Sequence, residues 1–183
     1  LQRRRQRQMC IRDSLIPLNN CYNSKAFEIS EYTDFYSCKN HALNASKIIR
    51  GDKAELSKNW YNLPVAYNGR ASSVVISDSD IRRPTGQIYE QANGIVKFEP
   101  TKKLDFELEM GTVIGGSLPI GETLDFEEAE NLIFGYVLLN DWSARDIQAW
   151  EYQPLGPFLS KSFGTSISPW IVSPEALEPF KTT

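Results

Sequence analysis

The chain has 183 residues, 41% of them hydrophobic, and a formal net charge of −3. That is one domain's worth of sequence with enough apolar content for a core. The charge argues against nucleic acid as a partner, no apolar run is long enough to span a membrane, and no secretory signal is present. Cys10, Cys21 and Cys38 form an odd set without metal-ligand spacing, which reads as reduced thiols in a cytoplasmic protein.

Residues 1–14, LQRRRQRQMCIRDS, hold five arginines and one aspartate, a net +4 that leaves −7 for the remainder. A basic arm for nucleic acid or part of a transit peptide would have this composition. MCIRDS is also what a transposase adapter used in sequencing libraries encodes, so the segment reads as a non-native leader. Residues 15–26 read as the remnant of a linker or of a preceding domain, and 27–183 as one catalytic unit. In EYTDFYSCKNHA (31–42), Asp34 and Tyr36 share a strand face. A helix is expected near 40–49, with Ser37 as a possible cap. It holds the chain's one histidine, His41, whose ordinary pKa lies nearest neutrality. A lone histidine is more often a packed or surface residue than a catalyst.

Strands are expected near 63–67, 72–77, 104–114, 132–139 and 167–172. Gly86 to Lys102 reads as a surface loop or hairpin. In LDFELEM (104–110), strand period sets Asp105, Glu107 and Glu109 on one face and Phe106, Leu108 and Met110 on the other. This is either a solvated outer face or part of a divalent-cation site, since hard cations take several carboxylate oxygens. A helix is expected near 126–131, capped by Thr123 or Asp125.

The densest segment is DWSARDIQAWEYQPLGPFLSKSFGTSISPW (141–170). It follows the apolar strand GYVLLN (135–140). If 142–150 is helical, Asp141, Arg145, Gln148 and Tyr152 recur on one face. That pattern alone fits an exposed face with one Asp–Arg pair as well as a site. The class is α+β with a β-rich core.

These runs, together with NWYNLPVAYNGRASSVVISDSDIRRPTGQ (59–87), resemble the fumarylacetoacetase family, whose reaction hydrolyses 4-fumarylacetoacetate in tyrosine breakdown. The likeness covers residues 27–180. The E-x-E pair, the strand-end aspartate and K-x-x-x-T belong to the wider superfamily. The Y-T-D-F-Y, Y-x-G-R-A-S-S and W-E-Y-x-P-L-G-P-F runs point to the family itself. One departure is Asn68, where the family carries a second histidine. The turn chemistry of Asn68-Gly69 is retained.

The resemblance implies a β-roll with a mixed sheet around a metal site. It implies Asp34, Glu107, Glu109 and Asp141 as Ca²⁺ ligands, with Asp141, Lys161 and Thr165 around a second cation, Mg²⁺. It implies His41 as general base and Arg145, Gln148 and Lys161 as groups that stabilise negative charge. Tyr36, Arg50, Tyr67, Gln148 and Tyr152 would contact a small diketo diacid substrate. It further implies a homodimer when the protein is full length. A preceding β-barrel domain of the family and later strands carrying a glutamate partner for the histidine are unmatched, so the chain reads as the first half of a catalytic domain, inactive alone. Two alternatives stand beside this reading. One is another superfamily enzyme, an acylpyruvate hydrolase or a 2-oxo acid hydratase or decarboxylase. The other is a cation-binding module without catalysis.

Overall fold

The computed structural model describes residues 14–182, leaving aside the side chains of Ile49 and Arg50. The leader reading of 1–14 falls, but for Ser14, outside the described residues. In chain order the elements are β1 (Thr33–Phe35), α1 (Lys39–Arg50), β2 (Ala66–Asn68), β3 (Val74–Ile76), β4 (Thr85–Glu90), β5 (Ile95–Pro100), β6 (Leu104–Asp105), β7 (Leu108–Ile114), α2 (Phe126–Asn131), β8 (Ile133–Asp141), β9 (Ser143–Ala144), α3 (Arg145–Glu151), α4 (Leu159–Ser162), β10 (Thr165–Ile167) and α5 (Pro174–Leu177). The architecture is α+β.

A four-stranded mixed sheet, in the order β3-β10-β8-β7, forms the frame. β10 runs parallel to β3 and antiparallel to β8, and β7 pairs antiparallel with β8. β1 with β2, β4 with β5 and β6 with β9 form smaller antiparallel pairs. One buried cluster, Val74, Val137 and Ile167, comes from three strands of the four-stranded sheet and is packed by Phe27, Ile29 and Tyr32. A second, Ile88, Ala144 and Ile147, joins the β4–β5 hairpin to α3.

The α2 cap follows the residue pattern closely. Asp125 accepts from the Glu128 N–H at 2.8 Å, and the Glu128 carboxylate accepts from the Asp125 N–H at 3.0 Å. At α1 the expected Ser37 cap is replaced by Cys38, with no side-chain cap bond. Gly86–Lys102 is largely the β4–β5 hairpin, in which Gly94 takes φ +71°. Asn68-Gly69 is not a positive-φ turn. Gly69 is needed for another reason: a Cβ there would lie 1.9 Å from the Tyr32 ring.

Three boundaries move for reasons of hydrogen bonding. The 104–114 strand breaks at Phe106-Glu107, because the Phe106 N–H turns to the Asp105 carboxylate and the Glu107 N–H donates to Asn140 Oδ1. The expected 142–150 helix starts only at Arg145, because Ser143 and Ala144 pair with Asp105 and Leu104. Asp141 therefore ends β8 and is not on the helical face with Arg145 and Gln148. The expected 167–172 strand is β10, ending at Ile167. Ser168 then turns the chain by accepting from the Trp170 N–H, Pro169 offers no donor, and Val172 returns as a single bridge to Tyr136.

β7 keeps the predicted alternation, with its carboxylate side turned inward. Glu109 is half-buried and shares the inner face with Gly111 and Val113. Phe106, Leu108 and Met110 are 65%, 75% and 63% exposed, and Leu138, opposite Met110, is 66% exposed. So large an apolar face drives association in water. The 183-residue chain expressed alone is expected to form concentration-dependent oligomers by size-exclusion chromatography and light scattering. Leu108→Ser with Met110→Ser should reduce them, and a monomer at every concentration would contradict the expectation.

Candidate metal and catalytic site

Strand pairing brings the acids together. β1 sets Asp34 opposite Tyr67 of β2, and β8 ends at Asp141, opposite Thr165 of β10. Glu109 enters from the inner face of β7. One carboxylate oxygen from each of Asp34, Glu109 and Asp141 lies within 4.8 Å of the others. Asp141 is 2% exposed. Its Oδ2 accepts from Tyr67 OH at 2.8 Å and Lys161 Nζ at 2.9 Å. Its Oδ1 is buried with no hydrogen-bond partner among the described residues. Leaving a buried carboxylate oxygen unsatisfied is costly. Three converging carboxylates, one of them with such an atom, suit a divalent cation.

Electrostatics agree with that fit. Burial, then the charges of Asp34, Asp141 and Glu107, push the Glu109 carboxyl up to about 8. Burial also raises Asp34 and Asp141, although Tyr67 and Lys161 oppose it. Carboxyl groups that each resist ionisation beside the others are what a bound cation would relieve. Tyr67 is driven well above the ordinary phenol range by burial and by the Asp141 and Asp34 charges, so it serves the acids as a donor.

Glu107, expected among the cation ligands, occupies a different position from the other three. Its Oε1 accepts from Arg145 Nη2 at 2.6 Å and its Oε2 from Lys161 Nζ at 2.5 Å. Burial alone would raise its carboxyl. The Lys161 charge and the two bonded cations outweigh burial and hold it below its ordinary value. Lys161 is itself buried and bridges Glu107 to Asp141. Arg145 spreads over three partners: Asp105 at 2.9 Å, Glu107, and Gln148 Oε1 at 3.0 Å. The result is a triad of acids flanked by two cations that share one carboxylate.

The other predicted residues sit as follows. Thr165 is fully buried, with Oγ1 3.4 Å from Tyr32 OH. Tyr36 and His41 meet edge to face with ring centroids 5.6 Å apart, and His41 is exposed. The Trp60 indole donates to the Tyr36 carbonyl at 2.7 Å, which fixes that segment. Tyr152 is the C-cap just after α3 and is 46% exposed. The Arg50 side chain lies outside the described residues. Two contributors had no role assigned from sequence. Asp105 was visible in the D-x-E-x-E alternation, and Tyr32 in the Y-T-D-F-Y run that it opens beside Thr33 and Asp34.

The match to known proteins falls on these same elements. Residues 31–183 match the family model described as fumarylacetoacetate (FAA) hydrolase C-terminal. The chain belongs to this family. It is 57% identical over 152 residues to fumarylacetoacetase of Arabidopsis thaliana and 54% over 156 residues to that of Dictyostelium discoideum, covering 83% and 84% of this chain. It is 51% identical over 174 residues, 93% of this chain, to fumarylacetoacetase fahA of Aspergillus fumigatus. The matched regions span 36–40% of the length of these relatives.

Proposed function

We propose that the protein carrying this sequence hydrolyses the carbon–carbon bond of 4-fumarylacetoacetate, giving fumarate and acetoacetate, the last step of tyrosine breakdown. The observation that carries the reading is the convergence of Asp34, Glu109 and Asp141, the last with an unpartnered Oδ1, beside Arg145 and Lys161. The named relatives support the substrate. In this reading Asp34, Glu109 and Asp141 hold Ca²⁺, with Glu107 adjoining. Asp141, Lys161 and Thr165 border a second ion, Mg²⁺. The protein acts in the cytoplasm as a homodimer.

A bound divalent cation would polarise the diketone oxygens and favour an enolate leaving group. His41 takes a proton from water, and the hydroxide oxygen adds to the carbonyl carbon on the fumaryl side. Arg145, Lys161 and Gln148 donate to the oxyanion that forms. Its collapse breaks the carbon–carbon bond and releases fumarate. The departing enolate carbon takes a proton and becomes acetoacetate. Arg50, Tyr36, Tyr67 and Tyr152 grip the carboxylate and carbonyl oxygens of the diacid.

The test is turnover of 4-fumarylacetoacetate by the full-length enzyme, with acylpyruvates as competing substrates. Preference for an acylpyruvate would favour another superfamily activity. Cation binding without turnover of either would leave a cation-binding module. His41→Ala is expected to lower kcat by about 10²- to 10⁴-fold, the range for loss of a general base. Near-normal turnover in that variant excludes the role.

A further inference from the structure

We propose that Glu151 is a positioning residue for Lys161, tying the helix that carries Arg145 and Gln148 to the turn that carries Lys161. Lys161 lies on α4, a single turn of four residues. One turn is too short to hold itself, because nucleation fixes several residues for one hydrogen bond. Its N-terminal N–H groups need acceptors. The residue at its N-cap is Phe158, with φ −116° and ψ −101°, whose side chain offers none. The segment before it contains Pro154 and Pro157, which carry no N–H, and turns through Gly156 at φ +98°.

The acceptor comes instead from the last residue of α3. Glu151 Oε1 accepts from the Phe158 N–H at 2.8 Å and from the Ser160 N–H at 2.7 Å. One carboxylate oxygen thus closes the loop between the two helices and satisfies the start of α4. Arg145 begins the same α3 that Glu151 ends, and Arg145 and Lys161 converge on the two oxygens of Glu107. A shift of α4 relative to α3 would therefore open the cation pair. Apolar contact supports the same junction: a Cβ on Gly86 would lie 2.9 Å from both Ile147 and Leu159. That contact does not involve Glu151, so the two helices remain joined when Glu151 is replaced.

The chemistry of the clamp separates acceptor from charge. Glu151→Gln keeps an oxygen at the same reach for both N–H groups. Glu151→Ala removes it. The direct readout is acylation of Lys161 by a water-soluble N-hydroxysuccinimide ester of acetate, followed by peptide mass spectrometry on the full-length protein. Exposed Lys97 serves as the internal reference. In the wild type and Glu151→Gln, Lys161 should stay protected; in Glu151→Ala it should lose that protection and approach the Lys97 rate. The kinetic readout rests on the proposed function. There kcat should fall by about 10²-fold in Glu151→Ala, the cost of a small misplacement at a reacting centre, with KM little changed and Glu151→Gln near wild type.

If Glu151→Ala unfolds, seen as every lysine accelerating together, Glu151→Asp carries the same expectation, since it keeps the charge and shortens the reach. Protection of Lys161 unchanged in a folded Glu151→Ala or Glu151→Asp protein overturns the proposal. So does a Glu151→Gln protein that loses protection. Loss of protection in Glu151→Ala together with a wild type that turns over no diketo acid would uphold the clamp and reject the functional reading.

Discussion

Replacing Lys161 with Met in the full-length protein is expected to destabilise the fold by about 3–5 kcal/mol, the cost of removing one partner from a buried charge pair. The Lys161 side chain is 5% exposed and bridges Glu107 at 2.5 Å and Asp141 at 2.9 Å. Met approximates its volume and removes only the charge, leaving two buried carboxylates beside Asp34 and Glu109. Adding Glu107→Gln should recover part of that stability, since one stranded charge is then gone and the two sites share a partner. It should not recover turnover. If Lys161 is the oxyanion donor proposed above, kcat is expected about 10²- to 10³-fold below wild type in both proteins. Equilibrium denaturation and steady-state kinetics read the two effects separately. A Lys161→Met protein within about 0.5 kcal/mol of wild type would place the lysine among ordinary surface groups.

The second large effect is on pH. Glu109 is raised from an ordinary 4.5 to about 8 in the cation-free protein. Between those values the native state holds a proton that the unfolded chain releases. Its contribution to stability is therefore fully present below pH 4.5 and is lost as the pH rises through about 8. A cation requires the carboxylate form, so binding must expel that proton. Apparent affinity is expected to tighten by up to about tenfold per pH unit from pH 5 to 8 and to level off above, as displacement of one proton requires. Glu109→Gln should flatten this slope. Calorimetric dissociation constants measured across that range check it.

How far the sequence reached can be seen residue by residue. The D-F-E-E start of α2 carries its own cap, so local chemistry suffices there. The alternation in LDFELEM was legible as a strand with three acids on one side. Which side faces inward was not, because that depends on what each face meets; Glu107 and Glu109 turn toward Lys161 and Asp141, Asp105 stays exposed on Arg145, and Leu108 and Met110 turn outward. Asp141 ends its strand as expected, but the helix was begun too early and Asp141 aligned with its face, because helical spacing cannot register the Leu104–Ala144 pairing that keeps the chain extended for two more residues. The pairing of Glu107 with two cations was also hidden. It arises from Arg145 and Lys161, which lie 38 and 54 residues away in sequence and reach Glu107 only through the fold.

The central claim is that Asp34, Glu109 and Asp141 form one cation site. Calorimetric titration of the full-length protein with Ca²⁺ at pH 7, in two buffers of different ionisation enthalpy, tests it most directly. The expected result is one ion bound at this site with net proton release, both lost in Asp141→Asn. Binding of the same stoichiometry and affinity in Asp141→Asn, or binding with no proton released, would contradict it.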